Sequence, residues 1–160
     1  MHEIGKNMTL IEYREDIIIV DCGMTFPEYE MLGIDVVIPD ITYLIENKHK
    51  IRGLVLTHGH EDHIGAIPYI MKKLDIDIYG TGLTIGLLEN KLKEHRLSKN
   101  RLKVVKAGDI VKLGKMEVEW IRVNHSIPDA CSLAIKTPLG YVYHSGDFKV
   151  DFTPISGEPI

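Results

Sequence analysis

Histidine and acidic residues concentrate in one short segment of the chain. Residues 58–63 read His-Gly-His-Glu-Asp-His, which has the form His-x-His-x-Asp-His. His58 and His60 are separated by a single glycine, so their imidazoles can converge on one cation where a strand gives way to a loop. Asp62 and His63 can form half of a second position about 3.5–4 Å away, the usual separation in two-metal sites. The alternative is a solvated polar turn whose histidines are satisfied locally.

Further ligands for two cations are expected at strand ends on the same face of the protein. His125 follows a strand predicted to begin at Met116, and residues 144–147, His-Ser-Gly-Asp, follow another strand. We predict that His125 completes the first position and that Asp147 bridges the two, because a carboxylate has two oxygens. His144 competes with Asp147 for this role and could instead pack or contact substrate. Imidazole together with carboxylate favours zinc or manganese over calcium.

Other residues near these strands have supporting or structural roles in this interpretation. Asp21 ends a predicted strand and could accept the second N–H of a ligating histidine, although a simple turn aspartate fits the pattern equally well. Ser126 follows His125 and is a second candidate for a supporting contact. Cys22 and Cys131 are expected to pack as small hydrophobic side chains.

Strands and helices alternate in the part of the chain that carries the histidine segment. Two β-branched runs at 8–13 and 16–21 predict a hairpin, and an apolar run at 53–57 predicts a buried parallel strand directly before the histidines. The remaining predictions are a surface loop over 25–39, a helix over 40–47 that Asp40 begins, helices over 64–74 and 83–92, and a strand over 76–79.

Helical periodicity ends near residue 100, and the rest of the chain has the pattern of short strands. They are predicted at 102–106, 109–113, 116–124, 132–136 and 141–144. Strand–helix units followed by a β meander favour an α/β or α+β domain with helices on the outside of a sheet or sandwich.

The composition is that of a globular domain, with 160 residues of which 44% are apolar and 26% charged. The net charge of −4 provides no overall positive field, so binding to nucleic acid would need local cationic groups. Two cysteines are too few for a disulfide scaffold, and no apolar run approaches the roughly 20 residues that span a bilayer. We therefore expect one domain in a cytoplasmic protein without membrane association.

The metal-competent residues and the motifs around them resemble a known family. The order His-x-His-x-Asp-His, His125 and Asp147 resembles the metallo-β-lactamase superfamily. The longer motifs are similar to those of the bacterial ribonuclease J family of β-CASP ribonucleases: Glu-Ile-Gly-Lys-Asn at 3–7, Leu-Gly-Ile-Asp-Val-Val-Ile-Pro-Asp at 32–40, Thr-His-Gly-His-Glu-Asp-His-Ile-Gly at 57–65, His-Ser-Ile-Pro-Asp at 125–129 and Gly-Asp-Phe-Lys at 146–149. This resemblance extends over essentially the whole chain.

The resemblance implies an αββα sandwich of the metallo-β-lactamase type and a metal-dependent ribonuclease. The implied activity is 5′-to-3′ exonuclease and endonuclease cleavage of RNA, in messenger RNA decay and ribosomal RNA maturation. A metal-bound hydroxide, rather than a protein nucleophile, would attack phosphorus in line. The implied ligands are His58, His60 and His125 for one zinc ion, Asp62 and His63 for a second zinc ion, Asp147 as the bridge, and Gly33 and Asp35 for a possible structural calcium ion.

The resemblance also implies partners and boundaries. RNA is the expected partner, with a homodimer or homotetramer and an RNA-decay complex expected for the full-length family protein. Residues 1–160 would be a partial metallo-β-lactamase domain, an N-terminal portion without the family's first strand, β-CASP domain and C-terminal parts. Two other hypotheses stay open: a stand-alone metallo-hydrolase of esters, thioesters or lactams, and an inactive fragment that acts only as a binding module.

Overall fold

The computed structural model describes residues 5–153 and consists of two β-sheets packed face to face, with helices on one outer face. The strands of the first sheet are β1 Thr9–Tyr13, β2 Asp16–Val20, β3 Ile51–Val55, β4 Ile78–Gly80 and β5 Leu102–Val104. The second sheet contains β6 Ile110–Leu113, β7 Met116–Arg122, β8 Cys131–Thr137 and β9 Gly140–His144. The helices are α1 Thr42–Glu46, α2 Glu61–Ile64, α3 Ile67–Ile70 and α4 Gly82–Glu94, with a short 3-10 helix at Lys48–Lys50.

The first sheet has the strand order β1-β2-β3-β4-β5. β1 and β2 form the expected antiparallel hairpin, and β2 to β5 are parallel to one another. Every residue of β2 is buried, as expected for an apolar strand covered on both faces. Because parallel strands end at the same sheet edge, the residues that follow β2 and β3 are brought together.

Helices cover the outer face of this sheet, where Leu44, Ile67, Ile70 and Leu88 pack against apolar residues of β2 to β4. The single helix predicted over 64–74 is wrong, because α2 ends at Ile64 and a separate α3 follows. Tertiary contacts take the backbone groups that a continuous helix would use. The Asp62 carbonyl accepts from the Asn7 amide at 3.0 Å, and the Ala66 amide donates to the Cys22 carbonyl at 3.0 Å.

The second sheet is an antiparallel meander in the order β6-β7-β8-β9. Alternate residues of β7 are buried, so one face of the strand packs inward and the other faces outward. Val118 and Leu133 pack against Ile18 and Val55 of the first sheet. Trp120 is fully buried in this layer, and its indole Nε1 donates to the Leu56 carbonyl at 3.0 Å.

A polar contact also joins the two sheets, at the start of β2. One Asp16 oxygen accepts from Arg52 Nε, and the other accepts from the Lys115 amide at 2.9 Å, in the turn between β6 and β7. Strand β9 lies at one end of the second sheet and is more open, since Tyr141, Val142 and Tyr143 are all exposed. The α/β sandwich is therefore confirmed, and within residues 5–153 no helix is long and apolar enough to cross a bilayer.

Candidate metal centre

The histidine segment follows β3 at the edge where both sheets end. Residues 57–60 form an extended loop, and α2 begins at Glu61. Strand β7 leads to His125, and strand β9 leads to Asp147. Backbone hydrogen bonds hold these ends together: the Cys131 amide donates to the Thr57 carbonyl at 2.9 Å, and the Lys149 amide donates to the Asn124 carbonyl at 2.7 Å.

His58, His60 and His125 form the first group, which we call the three-histidine cluster. Their ligand nitrogens all lie within 4.8 Å of one another. His60 Nδ1 is 3.0 Å from His58 Nε2 and 3.2 Å from His125 Nε2. A tetrahedral cation with nitrogen ligands at 2.0–2.1 Å would place neighbouring nitrogens about 3.3 Å apart. The cluster therefore fits a divalent cation in composition and spacing.

Asp62, His63 and Asp147 form the second group, which we call the mixed cluster. His63 Nε2 is 3.6 Å from Asp62 Oδ2 and 3.5 Å from Asp147 Oδ1. The other oxygen of Asp147, Oδ2, is 3.8 Å from His125 Nε2. Asp147 thus directs one oxygen toward each cluster, the arrangement expected of a carboxylate placed between two cations. His58 is close enough to share a cation with His63 and Asp147 as well.

Asp21 lies below the mixed cluster and is almost fully buried. Its carboxylate accepts hydrogen bonds at 2.8 Å from the amide and the hydroxyl of Thr57, and Oδ2 lies 2.8 Å from His63 Nδ1. An ionised carboxylate only accepts, so His63 Nδ1 carries a proton, and Nε2 is the ring nitrogen that faces the cluster. The structure places Asp21 where a contact that orients His63 would require it.

Burial and local charge give these histidines different proton affinities. Burial, together with the positive charge of nearby His63, lowers the pKa of His58 to about 3. Burial also lowers the pKa of His125. At His63 burial acts in the same direction, but the hydrogen bond and negative charge of Asp21 outweigh it and raise the pKa. His58 and His125 are therefore neutral near pH 7, the state that binds a cation.

The remaining residues predicted from the sequence lie outside the two clusters. His144 Nδ1 accepts from the Gly146 amide at 3.2 Å, so this histidine braces the turn that presents Asp147. Ser126 is exposed beside His125. Gly33 and Asp35 lie in the exposed loop, and among residues 5–153 no cluster of three metal-competent side chains includes Asp35. The calcium site stays a prediction.

Both cysteines are buried, and neither belongs to a metal-competent cluster among residues 5–153. Both thiols are free, and burial raises the pKa of Cys22 to about 12 and that of Cys131 to about 11. They are therefore thiols near pH 7 and pack as small apolar groups, as predicted.

Two contacting residues were not predicted from the sequence as part of the centre. Thr57 binds Asp21, as described above, and its hydroxyl oxygen is 3.0 Å from His58 Nδ1. Asn7 Nδ2 is 3.1 Å from His63 Nε2 and 3.2 Å from Asp62 Oδ2. Asn7 is 55 positions before Asp62, and no spacing rule connects the two. The only signal at position 7 is its place in the family-like motif at 3–7.

A cavity of about 840 Å³ opens beside His125. Cationic side chains on its wall come from Lys106, Arg122 and Lys149, and acidic ones come from Asp129 and Asp151. Lys149 Nζ and Asp151 Oδ2 form an ion pair at 2.8 Å. The cavity therefore borders the three-histidine cluster at His125, and its wall carries charges of both signs, three of them cationic.

The two-sheet sandwich, with histidines and carboxylates at one shared edge, corresponds to a known class of protein. The chain belongs to the metallo-beta-lactamase superfamily, whose family model matches residues 3–156. Two solved structures support the fold. A protein from Enterococcus faecalis V583 has a TM-score of 0.66 at 21% identity, covering 92% of this chain and 41% of that one. The metallo-beta-lactamase fold protein YhfI from Bacillus subtilis has a TM-score of 0.63 at 16% identity, covering 89% and 55%.

Closer sequence similarity is to proteins named Ribonuclease J. The chain is 53% identical to that of Synechocystis sp., over 99% of this chain and 25% of the relative. It is 46% identical to that of Helicobacter pylori, over 98% and 23%, and 45% identical to that of Thermus thermophilus, over 99% and 29%. The family resemblance predicted from the motifs is confirmed, and the chain spans about a quarter of the length of these curated relatives.

Proposed function

We propose that this chain is the cation-binding part of a ribonuclease that hydrolyses RNA phosphodiester bonds. The observation that carries the proposal is the similarity to Ribonuclease J, which extends over 98–99% of the chain at 45–53% identity. Such enzymes are expected to cleave RNA both from the 5′ end and internally, in messenger RNA decay and ribosomal RNA maturation.

The ligand assignment follows from the two clusters. His58, His60 and His125 would hold one cation, Asp62 and His63 would hold the second, and Asp147 would contact both. The ligand types favour zinc, with manganese as the alternative. When bound, a pair of divalent cations activates a water molecule near neutral pH and neutralises charge on the reacting phosphate.

The protein contributes orientation and proton placement. Asp21 keeps the proton of His63 on Nδ1, so that Nε2 faces the cation position. Thr57 fixes Asp21 through two hydrogen bonds, and His144 braces the turn before Asp147. Hydrolysis breaks one P–O bond and adds the elements of water, so no side chain needs to act as a nucleophile. Ser126 is proposed only as a supporting contact, and His144 as a further contact to substrate.

The cavity beside His125 is the proposed path for the RNA backbone. Lys106, Arg122 and Lys149 offer charge to phosphates although the net charge of the chain is −4. The ion pair of Lys149 with Asp151 reduces its share of that charge. The two clusters lie beside this wall, and cations held there would add further positive charge for phosphate.

The location, partner and assembly of the protein are proposed from the same similarity. We propose a cytoplasmic location, RNA as the partner, a homodimer or homotetramer in the full-length protein and membership of an RNA-decay complex. We also propose a structural calcium ion near Gly33 and Asp35.

The experiment that tests the proposal compares substrates with one metal-loaded preparation of the chain. We expect the zinc- or manganese-loaded chain to cleave 5′-monophosphorylated RNA and to leave a chromogenic lactam and a thioester intact. The matched variant His60→Ala should lose RNA cleavage and keep the fold, as judged by circular dichroism. Cleavage of the lactam or thioester alone would replace the proposal with the other hydrolase class, and metal uptake without any turnover would favour a binding module.

A further inference from the structure

Asn7 lies beside the mixed cluster and has no part in the ligand set derived above. We propose that its side-chain oxygen Oδ1 is a further ligand of the cation at that cluster. This inference rests on the two-cation centre of the proposed function. It adds a ligand to the second position, where Asp62, His63 and Asp147 meet and His58 also lies within reach.

The backbone holds Asn7 in place independently of its side chain. The Asn7 amide donates to the Asp62 carbonyl at 3.0 Å, and the Asn7 carbonyl accepts from the Gly23 amide at 2.9 Å. Gly23 itself has no room for a side chain, since an added Cβ would lie 1.5 Å from the Asp62 carbonyl oxygen. The backbones of Asn7, Gly23 and Asp62 are therefore held in contact, and the Asn7 carboxamide stays within reach of the mixed cluster.

The present hydrogen bonds of Asn7 show what a cation would change. Nδ2 lies 3.1 Å from His63 Nε2 and 3.2 Å from Asp62 Oδ2, so the amide N–H groups point to the lone pairs that a cation would use. These N–H groups carry positive partial charge and oppose a cation at that place. A half-turn of the carboxamide exchanges Nδ2 for Oδ1 with little change in shape.

The exchanged oxygen would have the spacing of a ligand. It would lie about 3.1–3.2 Å from the two ligand atoms, between the separations of about 3.0 Å for neighbours around an octahedral cation and about 3.3 Å around a tetrahedral one. Asn7 is solvent-exposed on its other side, so the turn does not require the core to open. Without a cation, the Asn7 carboxamide contacts Asp62 and His63 through its NH₂ group. With a cation held by those two residues, it would bind the same cation through Oδ1.

The proposal gives the two clusters different metal preferences. With Asn7 the mixed cluster offers oxygen atoms from two carboxylates and one amide, and a single imidazole. The three-histidine cluster offers three nitrogens. Oxygen ligands suit manganese and magnesium, whereas imidazole suits zinc. Asn7 should therefore favour manganese at the mixed cluster.

The test measures manganese binding to the full chain after its metals are removed with chelator. Isothermal titration calorimetry gives the number of ions and their affinities, and electron paramagnetic resonance separates a coupled manganese pair from single ions. We expect two ions in the wild type and a loss of affinity for one of them of about tenfold or more in Asn7→Ala. Asn7→Asp, which keeps an oxygen at this place, should restore the second ion and the coupled signal.

Asn100→Ala is the matched control, because Asn100 is an exposed asparagine in a turn before β5 and makes no contact with either cluster. Melting in chelator checks that each variant is folded. Wild-type binding of two ions by folded Asn7→Ala would overturn the inference and leave the proposed function intact. So would a loss that Asn7→Asp fails to restore, since a merely structural role predicts that result. A wild type that binds only one ion would overturn the two-cation centre itself.

Discussion

The two sheets contribute to the candidate centre in different ways. The first sheet supplies four metal-competent side chains on one continuous segment, residues 58–63, and Asp21 from the neighbouring strand supports them. The second sheet supplies one side chain from each of two strand ends, His125 and Asp147. The first sheet therefore sets the local geometry, and the second sheet closes the centre and connects its two clusters.

The largest effect should come from removing the one carboxylate that faces both clusters. Asp147→Ala, in the second sheet, deletes both oxygens while the four side chains of the histidine segment remain. We expect the number of bound manganese or zinc ions to fall from two to one, and phosphodiester hydrolysis to fall by about 10³-fold or more, because metal stabilisation is worth several kcal/mol. Inductively coupled plasma spectrometry and an RNA cleavage assay measure the two results.

Asp75→Ala is the control for that variant. It removes an exposed carboxylate that pairs with Arg101 ahead of β4, at the opposite end of the first sheet. Metal content and cleavage should be unchanged in this control. Two ions in folded Asp147→Ala would mean that the second sheet does not connect the clusters.

A smaller effect should follow a change within the first sheet that spares every ligand. Asp21→Asn removes the negative charge that holds the proton of His63 on Nδ1. We expect about 10–100-fold weaker binding of the second ion. The pKa of His63, followed by nuclear magnetic resonance in the metal-free chain, should decrease because the charge of Asp21 raises it. Asp40→Asn, which changes a carboxylate bound to Thr42, is the control, and an unchanged His63 titration would contradict the role given to Asp21.

A substitution in the turn that presents Asp147 should weaken binding of the second ion about tenfold. Gly146 has φ +57°, and an added Cβ would lie 3.1 Å from Thr57 Cβ and 3.2 Å from the Cys131 carbonyl oxygen. Outside glycine this conformation costs about 1–2 kcal/mol, so Gly146→Ala should displace Asp147 and weaken binding of the second ion about tenfold. Gly108→Ala, at φ +91° with open space around it, has similar strain and should leave metal binding unchanged.

The smallest effect on the centre should come from the contact that joins the sheets at their other end. Asp16→Asn weakens the interaction with Arg52 and the Lys115 amide. It should lower the free energy of unfolding by about 1–3 kcal/mol at pH 7 without changing the number of bound ions. Chemical denaturation measures the difference.

The pH dependence of that difference has a definite sign. The hydrogen bond from Arg52 lowers the pKa of Asp16 in the folded chain, against an unfolded value of about 3.9. The stabilisation is therefore complete above the unfolded pKa and is lost as the pH falls through the lower, folded pKa. A wild type and Asp16→Asn that differ equally at pH 7 and in strong acid would contradict this account.

Local patterns were enough to predict much of this arrangement. The histidine segment stands out because its ligands are neighbours in sequence, and the strands before it and before His125 and Asp147 have the expected apolar patterns. The rule that strand ends meet at one edge assigned His125 and Asp147 to the site, and the family resemblance implies the same two residues. The roles of these residues as ligands stay predictions.

Long-range backbone contacts explain what the sequence did not predict. The helix expected over 64–74 is divided because Asn7 and Cys22 bind the backbone of Asp62 and Ala66. The same contact brings the side chain of Asn7 to the mixed cluster, and the only sign of this in the sequence is its place in the family-like motif at 3–7. Helical periodicity describes which face is apolar, but it does not report which carbonyls are taken by distant amides.

Trp120 gives the chain an internal optical reporter. It is the single tryptophan, it lies between the two sheets, and its indole is bound to a carbonyl two residues before His58. Its emission should therefore follow separation of the sheets and shift to longer wavelength when water reaches the indole. Fluorescence can then separate variants that lose only a cation from variants in which the sandwich itself has opened.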